Sequence, residues 1–326
     1  MSSESKNQIP YVRLGSSGLK VSKLILISEG CGTVIMIADA SGVTLKAYGT
    51  PEWQGWVLDE KTSIEHIKYA YEQGINTFDY SGGESEVVLG KALKVIGAPR
   101  ESVVILTKLY NPVVPAGSKT GVPPNGRGSS RKIMLMFCNF IDSITKLPLP
   151  KPYVGMSSCW AYQFQAMQNY AINNRLTPFI SMQNFHNAAY REEEREMMPT
   201  LKMFGAGCIP WSPLCRGFLS RPWDAEETIR VKTDANYKGR GHDKPDESRK
   251  SINERVAEIS KKKGISMAQV ALAWSLKNDF ITAPIIGSTS LDNLKDLIGA
   301  LSVELTTEEK AYIDEPYAAR SISGHV

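Results

Sequence analysis

Disulfide and metal chemistry have little to work with in this chain. Its five cysteines (Cys31, Cys138, Cys159, Cys208 and Cys215) are scattered, with no Cys-x-x-Cys pair and no ligand spacing. They read as buried thiols of a reducing compartment, and no metal site is expected. There are only four histidines: His66, His186, His242 and His325. No Gly-x-Gly-x-x-Gly follows the first strand, which argues against a Rossmann dinucleotide domain. No uninterrupted apolar run is long enough to span a bilayer, because the most apolar region, Leu19 to Val43, is broken by Lys20, Lys23, Glu29 and Asp39. The N-terminal MSSESKNQIPYVRLG is polar and lacks a signal-peptide core. A net charge of +4 over 326 residues is too small to argue for nucleic acid. These absences leave a soluble, cytoplasmic protein with neither a membrane nor a nucleic-acid partner as the expectation.

What is present is an alternation of strands and helices running the whole length, with no linker between halves. Residues 1–326 therefore read as a single domain of (β/α)-barrel type. A Gly-Ser-Ser-Gly turn within residues 11–25 predicts a hairpin that plugs one end of the barrel. Short apolar strands are expected at Ile75–Phe78, Val103–Leu106, Tyr153–Ser157, Phe179–Gln183, Gly207–Trp211 and Ala283–Ile286. Helices are expected at Glu60–Gln73, Glu84–Val95, Ser130–Lys146, Ala161–Ile172, Arg191–Phe204, Ile252–Lys263, Met267–Lys277 and Leu291–Leu301. Thr306 and Glu309 form a capping box for a last helix. The charge run at Arg191–Glu196 reads as a solvated face. Residues 220–248, polar and charged with both signs, read as a mobile surface loop or as a lid over a phosphate-bearing ligand.

The chemistry concentrates between Gly74 and Lys108. Asp79 and Tyr80 stand at the C-terminal end of one strand and Lys108 at the end of the next, with a helix between them. α/β folds carry their sites at such strand ends. A phenol with a pKa near ~10 is a poor acid at neutral pH; an ammonium beside it lowers that value, and a carboxylate holds the ammonium in place. The trio suits protonation of a carbonyl oxygen as hydride reaches the carbon. The bland alternative is a strand-end tyrosine, a helix-capping aspartate and a solvated lysine. Gly287-Ser288-Thr289-Ser290 opens a helix and offers N–H groups to an anion. Trp53 and Trp56 suggest an apolar pocket wall.

FDYSGGESEVVLGKAL, VVILTK, SMQN, PWSPL and PIIGST, in this order, resemble the aldo-keto reductase superfamily. The kinship is with its fungal aryl-alcohol-dehydrogenase-like and norsolorinic-acid-reductase-like branch, which is itself similar to potassium-channel β subunits. The resemblance implies a TIM barrel that binds NADP(H) without a Rossmann domain and reduces a small-molecule aldehyde or ketone, or oxidises the alcohol, in secondary metabolism. It assigns catalysis to Asp79, Tyr80 and Lys108. It gives Ser157 and Gln183 to the nicotinamide carboxamide and Trp211 to the nicotinamide face. Ser212, Pro213 and Leu214 resemble the pyrophosphate-side loop. Gly287, Ser288 and Thr289 resemble the 2′-phosphate site, with Asn293 and Asp296 near adenine and Arg230 in the lid. Asn293 stands where many members have Arg or Gln, which lowers the expected preference for NADP over NAD.

Three departures accompany the resemblance. Residues 27–47 look like an insertion with no role. Asp79 and Tyr80 are adjacent, so they point to opposite strand faces, whereas the family separates them by about four residues. The segment from Lys132 to Tyr153 is too short for the family's fourth strand, its catalytic histidine and a flanking helix. The fold expectation is therefore an incomplete (β/α)8 barrel with open edges and poor solubility. His186, just past Gln183, is the nearest histidine to the barrel mouth, although no family role is carried onto it. The departures leave two further readings. One is a non-catalytic NADP(H)-binding protein or partner subunit. The other is a faulty gene model of a reductase, with an intron retained near 27–47, which sequencing the transcript decides.

Overall fold

The computed structural model describes residues 9–27, 34–37, 58–80, 84–109, 153–226, 232, 244–323 and 325, with backbone alone at 34–37, 84–86 and 107–109. The helix expected at Ser130–Lys146, Trp53, Trp56, Arg230 and most of the 220–248 loop lie outside the described residues.

The chain enters through the expected hairpin. β1 (Tyr11–Arg13) pairs antiparallel with β2 (Lys20–Ser22). Its turn is pressed against the segment after a later helix: Ser16 N–H donates to Gly205 O at 2.7 Å. Gly15 has φ +59°, and a Cβ there would lie 2.3 Å from Gly205 O, so this close approach excludes any side chain. Leu14 and Val21 of the hairpin pack against Ile25, Leu106, Ile209 and Ile285, all buried. These residues mark the inner face of the sheet that follows, and the hairpin covers one end of it.

That sheet has eight strands. They are β3 (Ile25–Ile27), β4 (Val34–Ile37), β5 (Thr77–Asp79), β6 (Val104–Leu109), β7 (Tyr153–Ser157), β8 (Phe179–Gln183), β9 (Gly207–Cys208) and β10 (Ile285–Ile286). Their order is β10-β3-β5-β6-β4-β7-β8-β9, and every pairing is parallel. Residues flanking the two end strands also touch. Isolated parallel bridges join Cys208 to Ile281 and Trp211 to Ile285, and Ile285 N–H donates to Pro210 O at 2.8 Å.

Position β4 corrects the sequence reading. Residues 27–47 read as an insertion with no obvious role, and the sheet was expected to lack its fourth strand. Instead Val34–Ile37 lies between β6 and β7, with Ile35 opposite Thr107 on one side and Val154 on the other. Val-Ile-Met-Ile is a continuous apolar, β-prone run suited to a strand paired on both sides. Sequence order misled because a strand's place in a sheet is fixed by the slot it fills and not by its neighbours in the chain.

Helices lie on the outer face: α1 (Glu60–Glu72), α2 (Glu84–Ile96), α3 (Ala161–Asn173), α4 (Met197–Phe204), α5 (Glu247–Lys263), α6 (Met267–Leu276), α7 (Leu291–Gly299) and α8 (Thr307–Asp314). α1 shows why they form. Asp59 caps it by accepting from Thr62 N at 2.8 Å, and its buried residues Ser63, His66, Ile67 and Ala70 recur at i, i+3, i+4 and i+7. The Thr306/Glu309 capping box on α8 is present as expected. α1, α2, α6 and α7 bury a layer of apolar residues against Leu26, Phe78, Ile105 and Ile286 of the sheet. Burial of that size contributes about 1.5–3 kcal/mol per large aliphatic side chain. The expected helix Arg191–Phe204 is instead a short 3-10 turn at Glu192–Glu194 followed by α4. No helix among the described residues is long and apolar enough to cross a membrane.

Candidate cofactor and active site

Strand alternation sorts the expected site residues. On β5, Phe78 belongs to the helix-side cluster, so Asp79 occupies the inner face; it is 1% exposed. On β6, Leu106 belongs to the inner cluster and pairs with Asp79, and Lys108 occupies the register position two residues further along that face. The Lys108 side chain lies outside the described residues. On β7 and β8, Met156 and Met182 pack outward, so Ser157 and Gln183 fall on the inner face, opposite each other in register. Ser157 Oγ donates to Gln183 O at 3.0 Å. Asp79, Ser157 and Gln183 thus stand on the inner face at the C-terminal ends of their strands, and the backbone of β6 carries Lys108 at the corresponding end.

Tyr80 does not join them. It is fully buried in the helix-side cluster with Phe78, Leu26 and Ile67. Its N–H donates to Leu106 O at 2.9 Å, which continues the β5–β6 ladder and keeps the alternation through residue 80. The physical reason is the adjacency itself: consecutive residues of an extended strand face opposite ways.

Gln183 carries a second signal. It is 2% exposed, and its Nε2 meets no acceptor among the described residues. A buried donor without a partner costs about 1–3 kcal/mol, so such a group marks a place prepared for an acceptor.

Beyond β9 the backbone is strained. Ser212, Cys215 and Arg216 have φ of 53°, 52° and 56°, and Ser158 beyond β7 has 47°. Left-handed non-glycine residues cost on the order of 1 kcal/mol each and gather at functional loops. The loop is held from beneath: Asn187 Nδ2 donates to Ser212 O at 3.1 Å, and the Trp211 indole stacks on Phe185 with ring centroids 4.5 Å apart. Trp211 Nε1 points to Ser158 Oγ at 3.4 Å. Pro213 is buried and Leu214 half-buried in the same loop. Ser158, Asn187 and Arg216, buried and beside Trp211, escaped the sequence reading. Asn187 had a readable signal: it closes an Asx turn, accepting from Ala189 N at 3.0 Å.

At the start of α7 the expected anion cradle is partly used by its own hydroxyls. Ser288 Oγ donates to Ser290 O at 2.7 Å, and Ser290 Oγ accepts from Asn293 N at 3.1 Å. Gly287 is half-buried, while Thr289 and Asn293 are exposed at this turn. Asp296 faces elsewhere: its carboxylate accepts from Ser266 Oγ at 2.5 Å and ties α7 to the N-cap of α6.

His186 is not at a mouth. It is fully buried, stacked on Trp274 at 5.4 Å, with Nε2 2.8 Å from Glu194 Oε1. The charge run following it is not solvated either, since Glu192 is 8% and Glu193 3% exposed. Burial alone would raise the Glu194 carboxyl, but hydrogen bonds from His186 and Arg191 outweigh it and hold the pKa at about 2. A depressed carboxylate adds stability that is present above its unfolded pKa of 4.5 and is lost as pH falls toward 2. This is on the order of 3 kcal/mol for a side chain only 22% exposed. Glu194→Gln is expected to lower stability at pH 7 and to shrink the loss between pH 6 and pH 3, read from urea melts at both values.

The profile of the Aldo/keto reductase family matches residues 47–139 and 152–318, so the match begins where the expected insertion ends and is broken within the short segment before Tyr153. The chain is 41% identical to versiconal hemiacetal acetate reductase of Aspergillus parasiticus, over 96% of this chain and 98% of that protein. It is 38% identical to a Schizosaccharomyces pombe protein named as an aryl-alcohol dehydrogenase, over 97% and 98% of the two chains. An aldo-keto reductase of Alternaria alternata is 36% identical, over 97% of this chain and 93% of its own. The first of these alignments spans 354 positions, more than the 326 residues present, so the relative carries residues that this chain lacks. With more than half of its length matched by the profile and full-length relatives above 30% identity, this chain belongs to the aldo/keto reductase family of oxidoreductases.

Proposed function

We propose that this chain is an NADP(H)-dependent oxidoreductase that interconverts an aryl aldehyde or ketone and its alcohol within a single domain of (β/α)8-barrel type. The observation carrying the reading is the shared inner face of Asp79, Ser157 and Gln183 at the strand ends, with Gln183 Nε2 a buried donor in need of an acceptor. A nicotinamide carboxamide fits that donor. When bound, the dinucleotide supplies or accepts the hydride. Ser157 and Gln183 would hold its carboxamide, Trp211 would wall its ring, and Ser212, Pro213 and Leu214 would serve its pyrophosphate. Gly287, Ser288, Thr289 and Asn293 would take the 2′-phosphate and adenine end, and the resemblance adds Arg230 to them. Asp79 fixes Lys108, and Lys108 eases the proton of Tyr80 toward the carbonyl oxygen. For that last role the Tyr80 side chain has to leave the helix-side cluster and turn inward past the end of β5. The aryl preference follows the relative named for aryl alcohols and the Phe185–Trp211 stack.

The position of Tyr80 favours a second reading, a protein that binds NADP(H) without turning it over. Purified protein, NADPH and an aryl aldehyde separate the two. Aldehyde-dependent loss of NADPH absorbance is the result expected for a reductase. Quenching of tryptophan emission with no such loss is the result for a binder.

A further inference from the structure

We propose that Glu193 is a positioning residue for the nicotinamide side of the site, and that the C-terminal segment carrying His325 holds it there. The proposal rests on the reading of that site given above. Glu193 is 3% exposed, and carboxylates are rarely buried so completely unless paired. Among the described residues it has two partners. Asn184 Nδ2 donates to Oε2 at 2.9 Å, and His325 Nε2 lies 2.9 Å from Oε1. Asn184 directly follows Gln183, and its carbonyl accepts from Trp211 N at 2.8 Å. One carboxylate therefore links the last residues of the chain to the two residues that flank the nicotinamide position.

The tail is docked by specific bonds and not by simple contact. Tyr317 OH donates to Glu192 Oε1 at 2.7 Å and accepts from Arg191 N at 2.7 Å. Arg320 N–H donates to the same Glu192 oxygen at 2.8 Å, and its guanidinium grips Asp246. Ser323 exchanges hydrogen bonds with Tyr190 OH at 2.9 and 3.3 Å. Tyr190 stacks on Phe185, which stacks on Trp211, at centroid separations of 4.6 and 4.5 Å. The His325 ring finishes the contact against Trp160, 4.9 Å away, in the loop that follows Ser157. Two routes thus run from the tail to the site: Ser323 through the ring stack, and His325 through Glu193 and Asn184. Consecutive glutamates serve this purpose because the tight 3-10 turn at 192–194 sends their carboxylates in different directions: to Tyr317 and Arg320, to His325, and to His186.

The test compares the full chain with a deletion of residues 323–326, His325→Ala and His325→Gln. It reads the NADPH Kd from tryptophan quenching and amide hydrogen exchange across Gln183–Glu194. The deletion and His325→Ala are expected to raise Kd about tenfold and to speed exchange about tenfold, the scale of one lost buried hydrogen bond to a charged group. kcat should stay within about threefold, because no group at the reacting atoms has changed. His325→Gln should restore both values, since its Nε2 reproduces the donor to Glu193. Unchanged Kd and unchanged exchange in the deletion would overturn the proposal. Should the full chain bind no NADPH, the cofactor reading fails, and the exchange result alone decides for or against the tail.

Discussion

Tyr80→Phe is expected, on the proposed reductase reading, to lower kcat for aldehyde reduction by about 10²–10⁴, the usual worth of a general acid, while NADPH affinity stays within about twofold. The substitution removes one hydroxyl and keeps the ring, so packing in the cluster around Phe78 and Ile67 is preserved and the melting temperature should hardly move. Activity and stability are thereby separated at one residue. A rate that survives in Tyr80→Phe would make residue 80 a core side chain and send the search for the acid elsewhere on the inner face. The measurement is steady-state NADPH oxidation alongside a thermal melt of both proteins.

Ile35→Pro is expected to have the largest effect on folding. β4 is paired on both sides, to β6 and to β7, so residue 35 lies in the middle of the sheet and not at an edge. Proline there deletes a ladder donor and sets its ring against the neighbouring strand, a loss of about 3 kcal/mol or more. Displacing β4 would also leave the facing edges of β6 and β7 unpaired, inviting aggregation. Soluble yield should fall sharply, and any recovered protein should melt several degrees lower. A variant that expresses and melts like the parent would show that Val34–Ile37 does not belong between those strands. The open edges expected from the short segment before Tyr153 are, in this fold, occupied by that strand.

Much of the architecture was legible because local rules and tertiary demands agree along most of the chain. β7 and β8 begin and end where their apolar runs do, and α1, α2 and α3 stop within a residue of the predicted ends. The hairpin follows from its turn residues, and α8 from its capping box. Where these signals failed, the missing information was spatial. Nothing in Val-Ile-Met-Ile says which strands it will separate. Nothing in Arg-Glu-Glu-Glu says that a tail more than a hundred residues later will bury two of the three carboxylates.

The candidate site divides in the same way. Residue order alone determined the family, the strand ends that carry Asp79, Lys108, Ser157 and Gln183, and the conflict between adjacent Asp79 and Tyr80, because motif spacing and a two-residue strand period are properties of the chain itself. Only the tertiary structure decided which face Tyr80 takes, that Asp296 accepts from Ser266, that His186 belongs to the core, and that His325 reaches Glu193. Those outcomes depend on contacts between distant segments, whose energies exist only once the sheet has brought them together.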